Sequence, residues 1–498
     1  MARVAEIVKL IRSLGINVYD VNESIYTEYI DRAYAWYRGD LGSEFHVTSD
    51  WNGVSTVEET KAKFHIAKRI CEGHADLEMN ENVNINIKDE KTRDWLLGFE
   101  EMSGYLGQQD FWNKATGLYE LVCALGIGSI EIVCEGLIDN GKVIKATEDT
   151  KMELQYHNAL SIIPISWDSN RNIKEIAFIE PYRKDKINYI NLRMHVLENG
   201  KYVIYNKVIK EVNGRYLFDI KNNINTLDKF ETDSDIPWFS VCKLNIQNNY
   251  DIYSPMGTSV YANCFDMFMT LDNILTAIRD ASEYAKPIRI YPIDLLDRNE
   301  ETGQFSIPKT MQKKAFYYAG SKTKGTVDGV DGKRLDIIDI ESDPRFDKLC
   351  QGVQNVLNYI SEMSGLGNSY FKFDNGTVQK TATEVISSNS ELWRSVRRNE
   401  LAIEKWILNI LKSIIHVHNF LGFGDVLDEN TNMSIDFDQS IIEDKTAERN
   451  RMLDEVRAGI ISKEEYREKW YGMARRDTDS SSTSDKVSLE KEKVMPAQ

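Results

Sequence analysis

A chain of 498 residues that is 42% hydrophobic and 10% aromatic can bury a sizeable core, which excludes a disordered polypeptide and suits two to four domains or one elongated body. Its formal net charge of −17 argues against tight wrapping of nucleic acid, because phosphate contacts need Lys and Arg, but not against a surface that DNA slides past. The six cysteines (Cys71, Cys123, Cys134, Cys242, Cys264 and Cys350) stand singly in apolar segments with no CxxC. They read as small buried hydrophobes in a reducing compartment, not as a disulfide frame or zinc site.

The first residues, MARVAEIVKLIRSLG, form an amphipathic pattern with charges throughout, unlike a signal peptide, and no apolar run approaches the roughly 18 residues of a membrane span. This implies a chain made and used in a cytoplasm. Residues 1 to about 135 read as mostly helical, with stripes over Tyr26–Tyr37, Phe64–Leu77 and Phe111–Leu125. From about 130 to 245 the period changes. Short runs at Ile130–Ile132, Ile162–Ile165, Ile176–Phe178, Tyr189–Leu192 and Tyr202–Ile204 alternate with turn signals at Asn140-Gly141, Asp168–Asn170, Asn199-Gly200 and Asn213-Gly214. Such Asn-Gly punctuation predicts antiparallel hairpins.

A helix is expected from Ser254-Pro255 to just before Pro287, with an apolar stripe from Val260 to Ile278. A Gly-, Lys- and Asp-rich insertion follows, from about Ile288 to Ile340. Within it Lys309, Lys313, Lys314, Lys322, Lys324, Lys333 and Arg334 stand against two acidic residues, a net of +5 in an acidic protein. A charge run is usually a solvated face; its place at the tip of a helix–insertion–helix element favours a partner-binding surface. The next helix opens at Asp343-Pro344, carries Leu349, Val353, Val356, Leu357, Ile360 and Met363, and stops at Gly365. After the loop Gly365–Lys380, a long helix opens at Thr381 with Glu384 as a capping box and runs to Gly422. Trp393 and Trp406 on it read as core. A strand over Asn432–Asp438, helices over Asp444–Gly459 and Ser462–Gly472, and a polar tail expected to be disordered complete an α+β chain that is mainly α.

Few residues carry chemistry. There is no P-loop pattern, Gly126-Ile127-Gly128 lacks a third glycine and has Glu131 in its place, and Ser321–Lys324 matches SxxK without partner motifs. His416 and His418 are two apart on a helix and so fall on different faces. Asp436 and Asp438 share a strand face, which leaves a metal-dependent nuclease as an alternative; a solvated face is the simpler reading. No cofactor is implied. The loop Gly365–Lys380 is the most distinctive stretch, with Tyr370, Phe371, Lys372, Phe373 and Lys380 between two capped helices. Its aromatics either pack locally or line a surface that touches a moving partner.

The order of these parts resembles the portal (head-to-tail connector) proteins of tailed bacteriophages, in the branch common in phages of Gram-positive bacteria. The resemblance rests on Pro237-Trp238-Phe239 and SPMGTSVYANCFD (Ser254–Asp266), KTATEVISSNSELWRSV (Lys380–Val396), MSIDFDQSIIEDK (Met433–Lys445), AGIISKEEYREKWYG (Ala458–Gly472), KFHIAKRICEGHADLEMNE (Lys63–Glu81) and ALGIGSIEI (Ala124–Ile132), in that family's order and spacing. It covers nearly the whole chain to about residue 473.

The resemblance implies a non-enzymatic ring, typically of twelve subunits, at one capsid vertex of the virion, made in the host bacterial cytoplasm and not bound to membrane. Residues 1–250 would be the wing, 251–287 and 342–365 the two stem helices, and 288–341 the clip. Residues 366–380 would be the tunnel loop, 381–431 the long wing helix, 432–473 a reduced crown and 474–498 a disordered tail. The implied partners are double-stranded DNA read without sequence specificity, the terminase large subunit, head–tail adaptor or connector proteins, and the major capsid and scaffolding proteins. Tyr370, Phe371, Lys372, Phe373 and Lys380 would line the channel, and the seven basic residues from Lys309 to Arg334 would serve docking. A net negative conduit would repel duplex DNA at long range instead of trapping it. A cytoplasmic scaffold that binds through the insertion without forming a ring is the remaining alternative.

Overall fold

The computed structural model describes residues 4–20, 24–41, 45–51, 56–79, 83–99, 102–139, 144–147, 149–212, 214–219, 227–284, 288–292, 315–318, 338–340, 345–368, 370–373, 382–437, 445–458, 460–462 and 466. The chain forms two units, Met1–Asp438 and Gln439–Gln498. It is an α+β protein.

The apolar stripes of the first third become helices. α1 (Val4–Ser13) buries Ile7 and Ile11. A π turn over Ile25–Ile30 runs directly into α2 (Asp31–Arg38), which stops at Gly39 in the left-handed region. A hairpin of β1 (Val47–Trp51) and β2 (Thr56–Thr60) leads to α3 (Ile66–Glu78) and β3 (Asn84–Ile87). Then come α4 (Glu90–Leu97), the two-residue strands β4 (Gly98–Phe99) and β5 (Met102–Ser103), α5 (Tyr105–Gln108) and α6 (Phe111–Leu125). The mostly helical expectation missed β3. Val83, Ile85 and Ile87 are buried at period two, but the intervening asparagines lower the strand propensity. β3 finds its partner far along the chain, in β20 (Met433–Asp436).

The middle of the chain is β, with β6 (Ile127–Glu135), β7 (Ile138–Asp139), β8 (Ile144–Lys145) and β9 (Lys151–Asn158) first. The strands β10 (Ile162–Trp167), β11 (Ile173–Lys184), β12 (Ile187–Glu198), β13 (Lys201–Val212) and β14 (Arg215–Phe218) pair consecutively as an antiparallel meander, and β15 (Lys229–Glu231) adds to β13. Two-residue turns set its register. Asn199-Gly200 (φ 52° and 81°) is the turn the sequence announces; Asp185-Lys186 (φ 51° and 66°) takes the same left-handed pair without a glycine. α1 covers one face of this sheet, with Ile7 and Ile11 on Ile163, Ile165, Leu192 and Met194.

β16 (Phe239–Lys243), β6 and β9 form a second antiparallel sheet. Successive residues of β16 point to opposite faces. Ser240 meets the long helix described below: its hydroxyl donates to the Trp406 carbonyl (2.8 Å), and the Trp406 indole donates to the Ser240 carbonyl (3.2 Å). Phe239 meets the meander through Phe178, Tyr202 and Ile162. β6 is thus buried on both faces, which explains its nearly unbroken apolar run.

The charged residue buried in that run is Glu131, which faces the meander and is 1% exposed. Its carboxylate accepts from His157 Nε2 (2.8 Å), His195 Nε2 (2.9 Å) and Arg193 Nε (3.0 and 3.1 Å). Arg193 reaches on to Glu180 (3.2 Å) and Gln155. Burial pushes the Glu131 carboxyl up, but the Arg193 charge and the two histidine hydrogen bonds outweigh it and hold the group well below the usual carboxylate range. Glu131 therefore bolts the small sheet to the large one.

The helix expected from Ser254 begins only at α7 (Phe265–Tyr284), after a single 3-10 turn over Ala262–Cys264. Ser254 Oγ accepts from the Met256 N–H (3.1 Å) in a local turn, and the chain then runs buried against the end of α6. The Val260 N–H reaches the Cys123 carbonyl (3.0 Å), and Gly257 lies so close to Gly126 that a Cβ would meet the Gly126 oxygen at 1.9 Å. That close approach, at the αL cap of α6, is what Gly126 serves. Beyond α7, β17 (Ile288–Pro292) pairs in parallel with β18 (Ala315–Tyr318) and antiparallel with β19 (Ile338–Ile340). α8 (Phe346–Met363) packs on α7, and α9 (Ala382–Leu421) spans 40 residues. Trp406 is core, whereas Trp393, expected in the core, is 37% exposed.

In the second unit α10 (Lys445–Arg457) is followed by one helical bond, from the Tyr466 N–H to the Ser462 carbonyl, and Arg449 Nε donates to the Tyr466 hydroxyl (3.1 Å). No helix of the described residues is long and apolar enough to cross a membrane. Replacing Glu131 by Gln leaves the buried Arg193 with only the partly exposed Glu180 as counter-charge and is expected to cost about 3 kcal/mol in urea unfolding at pH 7. Because the Glu131 pKa is depressed on folding, its stabilisation is fully present above the unfolded value of about 4.3 and is lost as pH falls from there through the lower folded value; the Gln variant should lose less on acidification.

Candidate functional site

The end of α8 is built as a Schellman motif. The Gly365 N–H donates to the Glu362 carbonyl (3.1 Å), and the Leu366 N–H reaches back to the Ser361 carbonyl (2.9 Å). Gly365 (φ 82°) must be glycine on a second count, because a Cβ there would meet Ser395 Oγ of α9 at 2.6 Å. Leu366 is buried, and Gly367 is again left-handed (φ 75°). The chain therefore turns sharply between α8 and α9 and is pressed against both.

The residues that follow fold back onto α8. Gln354 is the clamp: its Oε1 accepts from the Phe373 N–H (2.7 Å), and its Nε2 donates to the Phe371 carbonyl (3.0 Å). Phe371 packs partly buried on the main core. Tyr370 stands edge-on to it, ring centres 5.0 Å apart, and lays its hydroxyl over Gly73 of α3, where a Cβ would come within 2.9 Å of that oxygen. Burial, with the Asp76 carboxylate nearby, raises the Tyr370 pKa, so the phenol stays protonated. Lys372 points outward, and Phe373 is 42% exposed. The two readings of the loop aromatics thus divide: Phe371 packs locally, Tyr370 is a half-open seat, and Lys372 and Phe373 are exposed. Lys380 lies outside the described residues, as do Lys309, Lys313, Lys314, Lys322, Lys324, Lys333 and Arg334.

Beneath this loop sits a buried polar junction that periodicity does not reveal. Glu78, on α3, is 1% exposed, and Oε1 accepts from His74 Nδ1 (3.0 Å) and from Asn399 Nδ2 of α9 (3.0 Å). The Tyr119 hydroxyl of α6 donates to Oε2. His74 Nε2 lies 2.9 Å from the Ser364 carbonyl, the last residue before Gly365. A carboxylate and a carbonyl both only accept, so both His74 nitrogens must carry protons for both bonds to exist. Burial favours the neutral ring, and Arg398 also opposes protonation, but the Glu78 charge and the hydrogen bonds to Glu78 and Ser364 outweigh them and raise the His74 pKa. The sequence sign was a His and a Glu four residues apart on an otherwise apolar stripe.

A third such pair fixes the other helix that leads to the insertion. His46 Nε2 lies 3.0 Å from Asp272 Oδ2 on α7; the Leu41 N–H donates to His46 Nδ1 (3.4 Å), so Nε2 carries the proton. Asp272 Oδ1 accepts from the Phe64 N–H (3.0 Å), and the Arg279 guanidinium donates to the Thr60 carbonyl (2.6 Å). In Glu78, Glu131 and Asp272 both oxygens of the buried carboxylate are held by fixed donors.

The nuclease alternative gains no geometry. Asp436 is exposed and accepts from Asn86 Nδ2 (2.6 Å), while Asp438 lies outside the described residues. His418 is buried against Trp95, ring centres 4.4 Å apart, and His416 lies 3.4 Å from Glu429. No family model matches the chain, and no curated protein matches it significantly.

Because the raised His74 pKa stabilises the fold, its contribution is complete below the unfolded value of about 6.5 and is lost as pH rises through the folded value. Hydrogen exchange at 361–373 should therefore quicken as pH is raised across that range, after correction for intrinsic rates. His74→Gln should remove this dependence and cost about 1.5–3 kcal/mol. Gly73→Ala should lift Tyr370 off α3 at a cost of about 1 kcal/mol, seen as faster exchange confined to 370–373.

Proposed function

We propose that the chain is one subunit of a ring-shaped conduit for duplex DNA, of the portal kind found in tailed bacteriophages. The observation that carries this reading is the order α7, a small sheet, α8, a clamped loop and a 40-residue helix, with Lys372 and Phe373 exposed among the described residues of the loop. A single Lys372 repeated around a ring makes weak, salt-dependent phosphate contacts that carry no sequence information, which suits a strand that must slide. Rigid seating supports the role: Gly365 against α9, Tyr370 against α3 and the Gln354 clamp on α8 fix the loop at one height in every copy.

Exposed apolar side chains on the same helices suit contacts between copies. Tyr359 and Met363 lie one turn apart on α8, and Trp393 and Leu401 two turns apart on α9. In this reading α7 and α8 are the stem, and the strands β17–β19 belong to the clip, where adaptor proteins and the terminase motor dock. The α10 unit is a short crown, and the host cytoplasm is where the ring assembles before it enters the capsid vertex.

Two experiments test the reading. Native mass spectrometry of the purified chain should show a closed oligomer; a stable monomer at micromolar concentration counts against the ring. Deleting Phe371–Phe373 should leave the oligomer intact but impair packaging or retention of DNA, and normal packaging in that variant removes the channel-lining role.

A further inference from the structure

A cleft of about 450 Å³ opens between the β10–β11 turn, β16 and α9. Arg171 and Lys174 line it from the turn and β11, Lys243 from β16, and Lys405 from α9. Four cations around one cleft are unusual in a chain with a net charge of −17. Lys174 has a partner, Asp168 at 4.0 Å. Among the described residues no carboxylate lies within ion-pairing distance of Arg171, Lys243 or Lys405, and Asp235 is the one carboxylate in the lining. Three unpaired cations against that carboxylate leave a surplus near +2.

Lys243 shows the cost of this arrangement. Its ammonium is half-buried, and its hydrogen-bond partner is the Pro255 carbonyl at 3.4 Å. Burial, then the neighbouring Arg171 charge and more weakly Lys405, lower its pKa, and the Asp168 carboxylate, which pairs with Lys174, offsets this only in part. Like charges held together around a partly buried cleft are a feature that an anion relieves. Asn409, one turn beyond Lys405 on α9, also lines the cleft and adds an amide donor.

We propose that this cleft binds a phosphate monoester dianion, free or carried on a small organic molecule, held by Arg171, Lys243 and Lys405. The charge decides the class: a phosphate monoester at neutral pH carries about −1.5 to −2, which matches the surplus, whereas one carboxylate or one backbone phosphodiester neutralises half of it. Arg171 offers a planar fork for two oxygens, and the lysines act as point charges. This inference is independent of the ring.

Isothermal titration of the full-length protein with inorganic phosphate and with phenyl phosphate tests it. Both should bind saturably in the submillimolar to millimolar range. Lys243→Met and Lys405→Ala should each weaken binding about tenfold, while Lys412→Ala, which changes an exposed lysine of the same helix outside the lining, should leave it unchanged. Lys405 is exposed, so its variant remains informative should Lys243→Met fail to fold. Absence of saturable binding, equal weakening in all three variants, or displacement of phosphate from the cleft by a blunt DNA duplex lacking terminal phosphates would each overturn the assignment.

Discussion

The structure depends on the burial of one carboxylate. Glu78 joins α3 to α6 through Tyr119, to α9 through Asn399 and, by way of His74, to Ser364 at the cap of α8. Four helices far apart in sequence are fixed at a point where apolar packing alone would allow sliding. Burying a charge is costly, and its partners must be placed accurately to offset that cost. The return is positional: a donor that moves by an ångström leaves a buried acceptor unpaired.

The same device recurs. His46 with Asp272 fixes α7 to the segment before the first hairpin, and His157 and His195 with Glu131 fix the small sheet to the meander. Four of the seven histidines are buried against a carboxylate in this way. Each pair sits where a helix or sheet must hold a set orientation, and together they brace α7, α8 and α9 around the Gly365–Phe373 loop. These buried carboxylate–histidine groups thus read as structural joints.

Much of the architecture was legible because its signals are local. Period and punctuation marked α3, α6, α8 and α9, the Asn199-Gly200 hairpin and the Gly365 stop, since each follows from neighbours within a few residues. What stayed hidden was non-local or atypical. β3 alternates with asparagine and pairs with a strand near the other end of the unit. The Asp185-Lys186 turn adopts a glycine-like conformation without glycine. The stretch before α7 carries a good helix start yet runs buried because Gly257 must meet Gly126. The loop was visible as a loop, but its seat was not: nothing in residues 365–373 announces Gly73, Gln354 or Ser395 as their partners. Glu131, set aside with a failed glycine motif, proved to be the bolt between two sheets.

If the loop is held this firmly for a purpose, its tip must face what the protein handles. Electron cryomicroscopy of the purified full-length chain asks this directly. The account predicts a closed ring in which Lys372 and Phe373 of every subunit project into the central channel, with Tyr370 seated on α3. A ring whose loops turn outward or are consumed in subunit contacts, or particles that remain monomeric at the concentrations used for imaging, would contradict it.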